Sequence, residues 1–432
     1  MRSMNETPKQ SFSFRNIALL CVVLVMGAFV FRWVVQEQFS NAHNFSDFPA
    51  YQFAAHVLRT GGDPFDIQEV SLAAAQEDAQ LSTIVAPYRH SVVELLPFVA
   101  FDHLSYSHAR QVWMFGVAVS ALAIAWILWR YFSPWPRNDP RSWILVLVPF
   151  LFVPFIYSVE LHQTNTWLLL FLLLGILCVR KKWIVAASIF FGAAIVGKFF
   201  LAALILVLLV QKKYTLVLLT VFVAAILFFA PFALYPKTFF SYTHTVVPEL
   251  FSSNIHDNPL NPVPGSGSIA WWKNVSLAGV GYRMFTAQQV VRPIAEIPLV
   301  PIIRVVGYII FAATCFLLWK FREWIRAHEE HGFLFGFSGL LLAWFIASSF
   351  TWQHHLIFLL LALPALPYVF AHSETKRAWA VCGVIAILGI NILAAPPAHA
   401  PIWLQQVYVA IPALALLLGW IASAGMLWRK RT

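Results

Sequence analysis

The chain reads as an all-α protein threaded many times through a membrane. Three observations predict this. Of the 432 residues, 60% are hydrophobic and only 11% charged, where a soluble domain carries about 25% charged residues. Apolar segments long enough to cross a hydrocarbon core recur along the whole length. Most of the 29 Lys and Arg fall in short clusters between those segments, where they set orientation. The net charge of +10 is therefore a membrane-topology signal and points to no nucleic-acid partner. Cys21, Cys178, Cys315 and Cys382 all lie within apolar segments, which indicates neither a disulfide nor a metal site.

Run length and flanking charge place spans at about 17–36, 109–131, 142–159, 165–180, 183–197, 199–211, 214–235, 301–320, 332–350, 355–371, 378–395 and 403–427. The expected architecture is a polytopic bundle of about 12 transmembrane helices, one integral-membrane domain over residues 1–432. The first segment follows Arg2, Lys9 and Arg15 and has no small-residue cleavage pattern behind it, so it reads as an uncleaved signal anchor. The basic clusters Arg130/Arg137/Arg141, Arg180/Lys181/Lys182, Lys212/Lys213, Lys320/Arg322/Arg326, Lys376/Arg377 and Arg429/Lys430/Arg431 then fall on one side with the N-terminus. The positive-inside rule makes that side cytoplasmic, with both termini inside.

The first outer loop, about 37–108, opens with Ser46-Asp47-Phe48-Pro49. Phe48, Tyr51, Ala55 and Leu58 recur at helical spacing, which predicts an amphipathic helix over 48–59 lying on or in the interface. Gly61-Gly62 ends it. Asp66 then caps a second helix, with Glu69 completing a capping box. A semi-apolar run from Val92 to Phe101 follows.

Residues 183–210 lie between two basic clusters that both belong inside. They have to go out and return within a length too short for two ordinary spans. Two half-helices meeting at Gly197-Lys198 satisfy this, and broken backbone at membrane depth is tolerated only where protein or water surrounds it. Lys198 is therefore expected to face a cavity opening outward. The alternative is a single span with Lys198 snorkelling to the interface. The second long outer loop, about 236–300, contains the turn-rich stretch Asn258 to Ser268, then Trp271 and Trp272, which suit an interfacial belt.

Polar residues collect on the outer side: Asp47, the turn Glu160-Leu-His162-Gln163-Thr-Asn165, Lys198, Asn274-Val-Ser276, Arg283, and Trp352-Gln-His354-His355. Each has a plain structural reading as well. Asp47 can be a helix cap or a base. His354 and His355 can cap a helix, and adjacent helical residues point about 100° apart, a poor geometry for a shared metal. The chain has no HExxH, GxSxG, P-loop or DxD motif. Metal and cofactor are not called for. A sugar donor available on an outer leaflet is one carried on a polyprenyl phosphate. Such a donor needs cations for one phosphate, apolar surface for its tail, and a base for the acceptor hydroxyl. Arg, Lys and His can hold a monophosphate through charge-assisted hydrogen bonds and stabilise it as it leaves.

In these stretches the chain resembles the integral-membrane GT-C glycosyltransferases, and within them glycosyltransferase family 87, the polyprenol-phosphate-mannose-dependent α-mannosyltransferases and their bacterial relatives. The similarity runs in order from about residue 40 to 360: Asp47-Phe-Pro-Ala-Tyr51 through Gly61-Gly-Asp-Pro-Phe-Asp66, His162-Gln-Thr-Asn165, Gly192-Ala-Ala-Ile-Val-Gly-Lys198, Asn274-Val-Ser-Leu-Ala-Gly279 leading to Arg283, and Trp352-Gln-His-His355. The resemblance implies a GT-C-like bundle and an inverting hexosyltransferase. Asp47 is then the base, and Lys198, Arg283, His354 and His355 hold the donor phosphate. It further implies Tyr51, His162, Gln163, Asn165, Asn274, Ser276 and Trp352 around the substrates, and a lipid or glycan acceptor among the membrane lipids. The expected location is the outer face of a bacterial inner membrane. Two stretches depart from the family pattern: Pro87-Tyr88-Arg89-His90 stands where a Tyr-Pro-Pro-like stretch is usual, and Gln353 where an acid is usual. A flippase or transporter of a lipid-linked sugar, and a glycan ligase or polymerase of the same fold, are the other functions these features suit.

Overall fold

The computed structural model describes residues 24, 27, 47–133, 135–137, 139–248, 274, 276, 279–280, 300–348, 351–365 and 410–421. Among these residues the chain is helical and has no strand; an isolated antiparallel bridge joins Asn274 to Trp352. The first part carries α1 (Phe48–Arg59), α2 (Ile67–Glu77) and α3 (Ala79–Ile84). A 3-10 turn at Val92–Leu95 runs into α4 (Leu96–Phe101). Then come α5 (Tyr106–Phe132), α6 (Ile144–Leu151), α7 (Val153–Glu160), α8 (Asn165–Arg180) and α9 (Ile184–Gly197). They are followed by α10 (Ala203–Val210), α11 (Tyr214–Leu234) and α12 (Pro236–Ser241). The last described helices are α13 (Val300–Lys320), α14 (Arg322–Ala327), α15 (Glu329–Ala347), a 3-10 helix Gln353–Ala365, and α16 (Ala410–Ile421).

Among the described residues, four helices are long and apolar enough to cross a membrane: α5, α11, α13 from Ile302, and α15. The chain is a helical membrane protein. α15 is 83% buried over its span while α11 and α13 are 28% and 22% buried, so among the described residues α15 is the central helix and the other two are peripheral. The full set of expected spans is not seen as regular helices. Residues 142–159 form two short helices that part at Phe152, where Pro149 lies inside the first and Pro154 in the first turn of the second. The segment from 353 begins as a 3-10 helix. The expected span at 378–395, all but residues 24 and 27 of that at 17–36, parts of those at 355–371 and 403–427, and most of the loop at 236–300 with Trp271 and Trp272, lie outside the described residues.

The expected break at Lys198 is present. α9 ends at Gly197, Lys198 is extended at φ −138° and ψ 104°, and a 3-10 turn at Phe199–Ala202 starts the return through α10. α9 has 14 residues, a rise of about 21 Å, short of the ~30 Å hydrocarbon core. Lys198 is buried rather than snorkelling outward.

Contacts at the helix ends separate two poles. At one, Arg180 bonds Glu330 and donates to the Tyr131 carbonyl, Arg326 donates to the Val210 carbonyl at 2.7 Å, and Lys213 lies 3.6 Å from Glu329. This pole gathers the ends of α5, α8 and α10 with the start of α15. Following each helix to its other end leads to Tyr106, Asn165, Lys198 and the Thr351–His355 segment, beside α1. Among the described residues, the basic clusters at Arg180, Lys213 and Arg326 thus sit at the end of the bundle opposite Asn165, Lys198 and the Thr351–His355 segment.

Two local expectations change. α1 is not a surface helix: residues on all its sides are buried, including Phe48, Gln52, Phe53, Ala54 and Val57 along with Tyr51, Ala55 and Leu58. The Val92–Leu95 turn and α4 pack on α1, and Tyr106 at the start of α5 stacks on Phe53, on a side expected to face solvent, while also meeting Phe48. Asp66 caps α2 as expected, accepting from the Gln68 N–H at 2.8 Å, but Glu69 reaches the Asp63 N–H and closes no capping box. Gly61 does end α1, at φ +85°, a conformation that costs glycine little.

α13 and α15 meet through Gly307, where an added Cβ would stand 2.7 Å from the Ala347 Cα. Small residues let membrane helices approach this closely. Gly307→Val is expected to destabilise the fold by about 1–3 kcal/mol, read as a lower melting temperature of the purified protein in detergent. An unchanged melting temperature would mean the two helices part without cost.

Candidate active site

The site is built on three backbone features at one pole: the start of α1, the turn between α7 and α8, and the break after α9. The turn is a helix C-terminal motif in which His162 takes φ +57°, the His162 N–H bonds the Val159 carbonyl and the Gln163 N–H bonds the Ser158 carbonyl, both at 3.0 Å. Lys182 and Lys212 close the basic-pole turns in the same way. The Trp113 indole donates to the His162 carbonyl at 2.9 Å, and the Asp47 N–H donates to the Leu161 carbonyl at 2.9 Å. The start of α1 is thereby tied to the turn.

Asp47 stands at the N-cap position of α1, yet its side chain makes no capping bond. Its Oδ2 accepts from Gln163 Nε2 instead. The Gln163 Oε1 accepts from the Tyr51 hydroxyl at 3.0 Å. This chain of bonds fixes the amide's orientation: an ionised carboxylate can only accept, so the amide turns its NH2 to Asp47 and its carbonyl to the tyrosine. Tyr51 is fully buried, and desolvation with the Glu94 and Asp47 charges pushes its hydroxyl well above the usual range. It remains a donor. Asp47 itself is half-buried.

Behind Asp47 lies a cluster of cations and imidazoles. Lys198 Nζ is 3.0 Å from His90 Nδ1. The His90 ring stacks on Tyr51 at 5.7 Å and 8° and meets Tyr88 edge-on. Burial lowers His90 well below its usual value, with Lys198, His354 and Arg89 adding to the effect, so it accepts as the neutral imidazole. Glu94 is buried beside them; one oxygen accepts from the Thr164 hydroxyl at 3.2 Å. Burial raises its carboxyl to about 7 against the opposing pull of Lys198. His354 and His355 have rings 4.6 Å apart at 85°, and His355 packs on Phe200, two residues past Lys198.

The remaining expected site residues are mainly props in this geometry. Asn165 Nδ2 donates to Ser158 Oγ and to the His354 carbonyl, which also accepts from Ser158, at 3.1–3.3 Å. The Asn274 Oδ1 accepts from the Thr351 and Ser276 N–H groups at 3.0 and 3.2 Å, and its backbone bridges Trp352. The Ser276 hydroxyl accepts from the Gly279 N–H at 2.9 Å. The His162 ring is buried edge-on against Phe48, and burial, then Arg110, lowers it to about 3. Both its nitrogens lack a hydrogen-bond partner. Arg283 lies outside the described residues.

His90, Glu94, Tyr88 and Thr164 were not among the expected site residues. Glu94 carried a readable signal, a lone acid within the apolar run Val92 to Phe101. His90 sat in the stretch that departs from the family pattern, and its partner Lys198 is 108 residues away. Among the described residues no group of three or more His, Cys, Asp and Glu could hold a metal ion.

The arrangement can hold an anion against Lys198 and the imidazoles while Asp47 accepts a proton. The family model for glycosyltransferase family 87 matches residues 91–349, more than half of the chain. The chain belongs to glycosyltransferase family 87. No curated protein matches it. The matched region of this family 87 glycosyltransferase takes in Glu94, the His162–Asn165 turn, Lys198, Asn274 and Ser276. Asp47, Tyr51, His90 and the Trp352–His355 segment flank it.

Proposed function

We propose that this glycosyltransferase moves a hexose from a polyprenyl-phosphate donor to a lipid or glycan acceptor, on the outer face of a bacterial inner membrane. Mannose is the sugar the resemblance implies. The acceptor oxygen attacks the anomeric carbon, whose bond to the phosphate oxygen breaks with its electron pair leaving on the phosphate. Asp47 takes the acceptor's proton, and a single displacement inverts the anomeric centre. Lys198 with His90, His354, His355 and Arg283 binds and stabilises the departing phosphate. Tyr51 and Gln163 hold Asp47 as a carboxylate. Asn165, Asn274 and Ser276 hold the Trp352–His355 segment in place, His162 holds its turn, and Trp352 lies next to the sugar. With the basic pole inside, both termini are cytoplasmic.

One observation carries the reading: the Asp47 carboxylate is held by Gln163 and does not cap its own helix, at the pole where Lys198 and three histidines gather. The test is to incubate purified, reconstituted protein with defined polyprenyl-phosphate hexoses and a membrane lipid extract, then seek a glycosylated product by mass spectrometry. A new glycosidic product is expected. Movement of the donor across the vesicle with no product would instead favour a flippase.

A further inference from the structure

We propose that Glu94 is the proton-carrying counter-ion of the phosphate site, ionised opposite Lys198 while the site is empty and protonated when a phosphate diester arrives. The inference rests on the donor reading above and names a residue that reading does not use. Glu94 sits in the Val92–Leu95 turn, 7% exposed. Its Oε2 accepts from Thr164. Its Oε1 is buried with no hydrogen-bond partner and lies 3.2 Å from where a Cβ would stand on Gly197, the residue before Lys198. Glycine at 197 makes room first for Leu168, whose methyls would stand 2.6 and 2.9 Å from that Cβ, with the carboxyl next to them.

The charges explain the switch. In the empty site, the Glu94 carboxylate offsets the Lys198 ammonium. A diester phosphate brings one negative charge into a buried site, where an uncompensated charge is costly. Taking up one proton on Glu94 cancels the one charge that the phosphate adds. It also turns the idle Oε1 into an O–H that can donate to the phosphate.

The neighbours leave Glu94 as the group that responds. Lys198, the residue after Gly197, acts on it from the end of α9, and His90 contacts Lys198 in turn. Tyr51 with Asp47 comes from α1, Tyr88 from its own segment, and Tyr242 from the turn after α12. His354 and Arg89 act on His90, and His354, Lys198 and His90 act on His355. α4 brings no titratable side chain, and the only one on α11, Tyr214, starts that helix at the basic pole. The three tyrosines stay protonated because burial raises each of them. The Glu94 carboxyl, raised to about 7 by burial and opposed by Lys198, is poised to change charge near neutral pH.

The experiment is calorimetric titration of the purified full chain with a short-chain polyprenyl-phosphate mannose, in buffers of different ionisation heat, at pH 7–8.5. Wild type should take up close to one proton per donor bound at pH 8, with affinity falling about tenfold per pH unit there. Glu94→Gln, which keeps the Thr164 bond, should bind donor with no proton uptake and a flat pH profile. Glu94→Asp should restore uptake. Donor binding by wild type without uptake overturns the inference alone, as does uptake that persists in Glu94→Gln. Failure of wild type to bind the donor overturns the donor reading and this inference with it.

Discussion

Asp47→Asn is expected to lower sugar transfer roughly 100- to 10,000-fold, the usual contribution of a positioned general base, while donor affinity and folding stay near wild type. Asparagine keeps an oxygen that can accept from Gln163, so the bonds from Tyr51 through the amide persist. The ability to take a proton is lost, together with the carboxylate's charge. Asp47→Ala should lose transfer as well and free the Gln163 amide. Steady-state transfer by the purified variants, with donor binding measured separately, checks this. Full activity in Asp47→Asn would reduce Asp47 to a structural residue that ties α1 to the Leu161–Gln163 turn.

The second large effect is expected from Lys198→Met, which keeps the side chain's length and removes its charge. A hydrogen bond to a charged group contributes about 1.5–3 kcal/mol, equivalent to roughly a 10- to 150-fold rise in donor KM. His90 would lose its donor and Glu94 its counter-ion. Glu94 would then stay protonated to higher pH, so the variant's donor binding should lose its pH dependence near neutrality. Initial rates against donor concentration give the KM. An unchanged KM would remove Lys198 from the phosphate site and leave it a partner of His90 alone.

How legible each part was follows from the range of the interactions involved. The break at Lys198 could be read because basic clusters on either side fix where the chain turns, and a lysine in an apolar stretch is costly enough to be informative. The two poles were legible for the same reason. α1 was misplaced because periodicity reports one buried face, and a cover on another face, Tyr106 stacked on Phe53, comes from a different helix, the start of α5. The choice between cap and base at Asp47 could not be made from Ser46-Asp47-Phe48-Pro49. It depends on Gln163, 116 residues away. His90 was missed in the same manner: a histidine in a loop carries little information until Lys198 stands next to it. Asn165, Asn274 and Ser276 were found as polar residues near the site, but their bonds to the backbone of residues 274–354 give them a holding task that spacing alone does not reveal.

The central claim is that this pole of the bundle transfers a sugar from a polyprenyl monophosphate. Release of polyprenyl phosphate by purified protein, measured with equal concentrations of a polyprenyl-phosphate hexose and the matching nucleotide hexose in the presence of lipid acceptor, tests it most directly. The account predicts stoichiometric release of polyprenyl phosphate and glycosylated acceptor, with the nucleotide sugar left intact. Consumption of the nucleotide sugar with the polyprenyl donor untouched would contradict it.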